Sequence, residues 1–294
     1  MKPSAPTDAG PAAKLALLYF SGTGGTKVTA ELLGELLSRS FNVSVRDIGA
    51  SDAVETLNDS DFPVFLYPTY FLRPAPSMSE FISRLGPYDP PHSAYIVTTD
   101  ELYAENSIRA CALALKAKGI EHIGSKTLRS PGSDVTCIVP SKLTPWLYRF
   151  ERKYPEKLLS VVAEIRSLAS TPSPRAYIPR RKWYTPFAQL LQLIALNGFE
   201  KWKDRYRVLP DRCTLCGSCA AMCHRSAWNI SGTTLTHLPE KCELCTRCIH
   251  RCPARAIVLL DSLRDNDRLN LRLYASLKAE AKTRLQKTLA KIPL

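Results

Sequence analysis

"LALLYFSGTGGTKVTAELLGELL", residues 15–37, decides how the first half of the chain is read. Six residues dominated by apolar side chains run into a loop of Ser, Gly and Thr, and a helical pattern starts at once. An apolar run of that length reads as a buried strand. In the span 25–38, Val28, Leu32, Leu33, Leu36 and Leu37 share one helical face. A strand, a glycine-rich turn and a helix N-terminus in succession gather backbone N–H groups at one point, which suits a phosphate. Three templates can be laid on the loop. The dinucleotide fingerprint G-x-G-x-x-G is met by Gly22 and Gly24 but finds Lys27 at its third glycine. The triphosphate loop needs Gly directly before Lys-Ser/Thr, whereas Thr26 precedes Lys27 and Val28 follows it. What remains is [ST]-x-T-G-x-T, Ser21-Gly22-Thr23-Gly24-Gly25-Thr26. The hydroxyls of Ser21, Thr23 and Thr26, with the loop amides, form a nest suited to a terminal monophosphate.

Outward from this stretch, strand candidates recur as "NVSVRDIG" (42–49), "FPVFLYPTYF" (62–71) and "SAYIVTT" (93–99). A helix over 107–118 has Ile108, Cys111, Ala112 and Leu115 inward and stops at Gly119. "EHIGSKTLRS" (121–130) is the best fifth strand, and residues 131–146 fit no pattern. Strands alternating with helices imply an α/β domain over 14–170, a doubly wound parallel sheet. From Ser170 the composition shifts. "STPSPRAYIPRRKWYTP" carries four prolines and four basic residues and opens a basic linker, 171–210. Within it "FAQLLQLIALNGF" (187–199) is apolar but too short to span a bilayer. It reads as a helix packed between domains, with a membrane-surface helix as the alternative. After Asp261, Leu269, Leu273, Leu277, Ala281, Leu285 and Leu289 recur every four residues and predict a basic amphipathic helix in 261–294.

The ten cysteines stand at 111, 137, 213, 216, 219, 223, 242, 245, 248 and 252. The last eight form two copies of C-x2-C-x2-C-x3-C, "CTLCGSCAAMC" and "CELCTRCIHRC", the second followed by Pro253. Zinc favours two separated CxxC pairs, and a disulfide framework suits secreted chains. Three thiolates two residues apart instead wrap one iron–sulfur cube. The spacing is that of two-cluster ferredoxins, in which the fourth cysteine ligates the other cluster. One [4Fe–4S] cluster is therefore expected on Cys213, Cys216, Cys219 and Cys252, and a second on Cys242, Cys245, Cys248 and Cys223. Residues 211–260 form the expected small α+β unit. His224 stands where many such motifs carry proline, either as a surface substitution or as a tuner of the neighbouring potential. Cys111 reads as core, and Cys137 has no assignment.

The chain has 294 residues, 45% of them hydrophobic, and a net charge of +13. The segments 171–212 and 262–294 contribute +6 and +5 of that charge. A basic balance admits nucleic acid, an anionic membrane or an acidic protein, or simply solvated helix faces. No run of 18 apolar residues suggests a transmembrane helix. "MKPSAPTDAGPAAK" lacks the apolar stretch of a secretory signal and reads as a flexible leader over 1–13. A reducing, cytoplasmic location is expected.

The loop Ser21–Thr26, between a first strand and a first helix, resembles the FMN phosphate loop of flavodoxins. That resemblance implies two further loops around the flavin ring. Pro68, Thr69, Tyr70 and Phe71 follow the third strand. Thr98, Thr99, Asp100 and Tyr103 follow the fourth. With the cysteine motifs, the whole chain resembles the EFR1-type flavodoxin–ferredoxin fusion family over most of residues 14–260. The resemblance implies an electron-transfer protein carrying FMN and two [4Fe–4S] clusters and exchanging electrons with a redox partner protein, which the basic segments suggest is acidic. A flavin reductase acting directly on a quinone, a metal complex or dioxygen is the alternative, with Asp100 or Glu101 as acid. Nucleic-acid binding is not expected, and peripheral membrane contact is not favoured.

Overall fold

The computed structural model describes residues 12–101, 104, 106–181, 190 and 201–290. Residues 1–11 of the expected leader, nearly all of the expected apolar helix and Tyr103 lie outside the described residues. The opening apolar run becomes β1 (Lys14–Tyr19), buried at every residue but the first. It needs no polar alternation, because strands flank it on both sides and helices cover both faces. β2 (Asn42–Asp47) and β3 (Phe62–Tyr70) pair with it in parallel. β4 (Arg73–Pro74) turns back antiparallel on β3. β5 (His92–Asp100) pairs with β3, and β6 (Ile120–Arg129) with β5, both in parallel. The order is β2-β1-β3-β5-β6, with β4 paired to β3.

Side chains alternate across this sheet as the pleat demands. Leu15, Leu17, Val64, Leu66, Tyr95 and Val97 enter one core with α1 (Gly25–Leu37). Ala16, Leu18, Phe65, Tyr67, Ala94 and Ile96 enter the other, with α2 (Ala53–Asn58), α3 (Pro76–Arg84) and α4 (Ser107–Lys116). Cys111 lies in that second core, where burial pushes its thiol up to about 12. α5 (Tyr154–Ala169) joins the α1 face through Leu158, Val161 and Ile165. The first segment of the expected linker then runs beside β6, where the Tyr177 N–H donates to His122 O at 2.9 Å.

The cysteine-rich stretch builds two antiparallel strand pairs. β7 (Arg207–Val208) pairs with β10 (Ile257–Val258), and β8 (Trp228–Ser231) with β9 (Thr234–His237). Between them lie two short helices, α6 (Ser218–Ala221) and α7 (Arg247–Arg251). Their core of Tyr206, Trp228, Leu244, Ile249, Ile257 and Leu259 also takes in Cys137, Ile138 and Phe71 from the preceding half. Residues 131–146, which matched no sequence pattern, contain 3-10 turns at Val135–Cys137, Ser141–Leu143 and Pro145–Tyr148. Asn266 clamps them, donating to Thr136 O and Val139 O at 2.7 and 2.9 Å and accepting from Ser141 N–H at 2.6 Å.

α8 (Leu271–Leu289) closes the fold, with the Asn270 side chain accepting the Leu273 N–H at its start. Its buried face is Tyr274, Leu277, Ala281 and Leu285, packed on the core of β1, α1 and α5. This corrects the expected stripe in two places. Leu269 precedes the helix, and Tyr274 is the buried residue of the first turn, with Leu273 only partly buried against the same core. A strict four-residue spacing drifts around a 3.6-residue helix, so the inward face steps by three before it steps by four. The basic side chains lie along its flanks, where Lys278 meets Glu31 at 2.7 Å and Glu35 at 3.4 Å, and Lys282 meets Glu35 at 2.7 Å. No described helix is long and apolar enough to cross a membrane.

Candidate metal centre and phosphate loop

The two cysteine motifs are 29 residues apart, counting from Cys213 to Cys242, and the backbone repeats with them. Leu215 and Leu244 have φ of 52° and 55°, Gly217 and Thr246 of 74° and 55°, and Ser226 and Arg255 of 50° and 52°. Each pair is separated by the same 29 residues. For a residue with a Cβ the left-handed region costs roughly 1–2 kcal/mol. Five such residues at matched positions show that the motif, and not chance, dictates the turns. These turns aim amides at sulfur. Cys223 Sγ accepts from Ala227 N–H and Cys252 Sγ from Ala256 N–H, each at 3.3 Å, and Cys242 Sγ accepts from Leu244 N–H at 3.3 Å.

The eight thiols fall into two small cavities. Cys213, Cys216, Cys219 and Cys252 line one. Cys223, Cys242, Cys245 and Cys248 line the other. The fourth cysteine of each motif thus faces the cavity of the other motif. Four thiols around one apolar-walled space, with N–H donors on the sulfurs, fit an iron–sulfur cube. The first cavity opens at the surface through Leu215 and Cys216, both exposed, and Ile230 is exposed at its rim. The second is deeper, with Leu244 and Cys248 buried.

Several residues around the second cavity carry roles that sequence reading missed. His224 Nε2 lies 2.7 Å from Glu243 Oε1 and its ring meets Phe20 edge-on at 4.8 Å. Glu243 is 3% exposed, and its other oxygen accepts from the N–H and hydroxyl of Ser77. His224, Glu243 and Cys245 offer three ligand atoms within 4.8 Å of one another. Cys245 faces the cavity, while Glu243 ties the cysteine-rich unit to α3 through Ser77 and is itself held by His224. His250 Nε2 donates to Ser133 O at 2.8 Å, while Nδ1 accepts the Leu269 N–H at 3.1 Å. That pattern requires the neutral ring, and burial pushes its pKa down to about 4. Cys137 lies 3.4 Å from the same Nε2, with its thiol pushed up to about 12 by burial, so it is a packing residue.

The strand order reverses between β1 and β3, and in an open α/β sheet the ligand crevice forms at such a switch point, beyond the strand C-termini. Ser21–Thr26 and the turn after β3 both sit there. Ser21, Thr23 and Thr26 are all buried. Arg247 donates to Ser21 O at 2.6 Å, Gly22 O at 2.7 Å and Met222 O at 2.9 Å, and Arg251 donates to Thr23 O at 2.7 Å. Thr26 Oγ1 pairs with Thr99 Oγ1 at 2.7 Å, and Thr69 Oγ1 with Thr98 Oγ1 at 2.7 Å. Thr23 Oγ1 pairs with the Tyr274 hydroxyl at 2.8 Å. Ser21 Oγ is buried with no partner among the described residues, as is the Tyr70 hydroxyl. Only glycine fits at two places. Gly24 has φ 142° and the Tyr274 ring where a Cβ would stand, and a Cβ on Gly22 would meet the Tyr70 hydroxyl and Cys245.

Of the residues expected around a flavin ring, Pro68, Thr69, Tyr70, Thr98, Thr99 and Asp100 come together at the ends of β3 and β5. Phe71 and Leu72 form the β3–β4 turn with φ of 49° and 64°, and Phe71 packs on the core of the cysteine-rich unit. Burial raises Asp100 to about 6, helped by Glu151. Burial, then hydrogen bonding to Asp134, raises Glu101 to about 10. The unpartnered Ser21 hydroxyl and the glycine cradle fit a phosphate chemically, Arg247 and Arg251 hold the loop through its carbonyls, and the Tyr274 hydroxyl already stands in that cradle.

The scan of family models and the search of curated proteins gave no match. Solved structures gave several. A flavodoxin from the domain Archaea is 13% identical, over 54% of this chain and 99% of that one, with a TM-score of 0.39. A Fusobacterium nucleatum flavodoxin bound to flavin mononucleotide is 13% identical over 53% and 98%, with a TM-score of 0.38. Rubredoxin oxygen:oxidoreductase of Desulfovibrio gigas is 14% identical over 55% and 38%, with a TM-score of 0.37. The fold is settled by the chain's own strand order: a parallel sheet β2-β1-β3-β5-β6 between two helical layers is a flavodoxin-like α/β fold.

Proposed function

We propose that this chain is an electron-transfer protein whose cysteine-rich unit holds two [4Fe–4S] clusters beside an FMN site on the flavodoxin-like sheet. The observation that carries the reading is the crossed lining of the two cavities, four cysteines each, with the fourth member exchanged. Cys213, Cys216, Cys219 and Cys252 would hold the outer cluster, and Cys223, Cys242, Cys245 and Cys248 the inner one. Ser21, Thr23, Thr26 and the loop amides would hold the FMN phosphate. Bound together, such groups supply single-electron exchange at the cubes and a one- or two-electron store at the flavin. The chain supplies the positions. A Cβ on Gly22 would lie 3.0 Å from Cys245 O, so a ligand of the inner cavity abuts the phosphate loop. Leu215 and Ile230 leave the outer cavity within reach of a partner protein, for which the basic surface favours an acidic carrier.

Anaerobic purification should give a brown protein with about eight irons per chain. In Cys223→Ala the inner cluster should be lost and the outer one retained, read as iron content and as one remaining cluster signal by electron paramagnetic resonance. Zinc in place of iron, or selective loss of the outer cluster, overturns the assignment. A second reading, direct reduction of a small acceptor, is favoured by a cavity of about 560 Å³ beside the β3–β4 turn, lined by Tyr70, Phe71, Arg73, Arg109 and Arg181. Photoreduction followed by a screen of quinones and protein carriers separates the two.

A further inference from the structure

The β1–α1 nest is filled from within the chain. The Tyr274 hydroxyl is 2.8 Å from Thr23 Oγ1, and it stands 3.6 Å from the place a Cβ on Gly25 would take. Its ring covers Gly24, with ring carbons 2.9 and 3.1 Å from the place a Cβ would take. The Thr23 hydroxyl and the Gly24–Gly25 backbone are the groups a phosphate oxygen would meet at the start of α1. The helix that brings Tyr274 there is firmly docked, through Leu277, Ala281 and Leu285 in the core and through Lys278 and Lys282 on Glu31 and Glu35. Thr23 is therefore engaged twice by later parts of the chain, at its hydroxyl by Tyr274 and at its carbonyl by Arg251.

We propose that Tyr274 is an internal competitor for the phosphate nest, so that FMN phosphate enters only when the first turn of α8 withdraws the phenol. The inference rests on the FMN reading of the loop and adds what controls its occupancy. A ligand confined to a minor open state has its apparent affinity reduced by that state's fraction. If about one chain in ten is open, removing the plug tightens FMN roughly tenfold. The phosphate-free flavin, riboflavin, gains nothing from the change, because the phenol occupies only the phosphate's donors.

The test uses the full chain with its clusters in place, purified without added flavin. FMN and riboflavin are titrated by flavin fluorescence into wild type, Tyr274→Phe and Tyr274→Ala, and inorganic phosphate is titrated by thermal shift. Tyr274→Phe keeps the packed ring and removes only the oxygen, so it remains informative if the alanine variant folds poorly. The inference expects tighter FMN binding in both variants, unchanged riboflavin, and a phosphate-dependent rise in melting temperature in the variants alone. Equal FMN affinity in all three proteins overturns the competitor role and leaves the FMN site standing. Phosphate stabilisation of the variants with no FMN binding keeps the competitor role and overturns the FMN site. Riboflavin tightening as much as FMN overturns the competitor role, since the plug would then act on space and not on the nest.

Discussion

Glu101 is the clearest case of one residue under strain from its surroundings. It is partly buried beside Asp134, and its carboxyl rises from 4.5 to about 10. The folded chain therefore binds this proton more tightly than the unfolded chain does. Its contribution to stability is complete below about pH 4.5 and is lost as pH rises toward 10. Glu101→Gln should keep a donor toward Asp134 and remove the titration. The variant should be more stable than wild type by about 1–3 kcal/mol at pH 8, with the gap closing toward pH 5. Urea midpoints at the two pH values check this, and a constant gap would show that folding leaves the Glu101 pKa where it is in the unfolded chain. The sequence placed Glu101 after the fourth strand, but its neighbour Asp134 lies 33 positions on, in a segment with no periodicity to read.

At the scale of elements, α8 is the informative one. Sequence reading found the helix and its amphipathic character, because periodicity is written locally in the chain. It missed Tyr274, because a repeat of leucines does not say which element lies opposite. Leu285 is 4% exposed within the core shared with β1 and α5. Leu285→Ala should lower global stability by about 2–4 kcal/mol, since a buried leucine leaves both lost transfer energy and a cavity. The loss should be visible by far-UV circular dichroism in urea as unfolding of the flavodoxin-like half. If instead only the cysteine-rich unit loosened, α8 would not be part of the sheet's core.

At the scale of the molecule, the docking of the cysteine-rich unit is held in part by arginines reaching backbone carbonyls and one carboxylate. Arg247 bridges Ser21 O, Gly22 O and Met222 O, and Arg225 meets Glu80 at 2.5 Å. Hydrogen bonds from a charged donor are worth more than neutral ones, and an abandoned buried carbonyl is costly. Arg247→Ala should cost about 2 kcal/mol or more and uncouple the halves. With the proposed clusters bound, their absorbance should be lost together with the sheet circular dichroism in wild type and at a separate denaturant concentration in the variant. Coincident transitions in the variant would place the coupling elsewhere, in the shared core of Cys137, Ile138 and Phe71. The arginines were visible in the sequence only as part of a basic total, which pointed outward to partners. The structure turns two of them inward.

Two things were determined by the sequence alone. The run Leu15–Leu37 specifies strand, glycine turn and helix, and the cysteine spacing specifies two repeated wraps. Both are local: a period of two or 3.6 residues, and cysteines three or four positions apart, need no distant partner to be read. Tertiary structure alone decided the rest. Tyr274 reaches Thr23 across 251 positions, Arg247 reaches Gly22 across 225, and His250 reaches Ser133 across 117. Such pairs leave no periodic trace, because each is made by packing two complete elements against one another. The loop Ser21–Thr26 could be read from the chain as the expected place for a phosphate. That its own C-terminal helix stands in the nest could be known only from the fold.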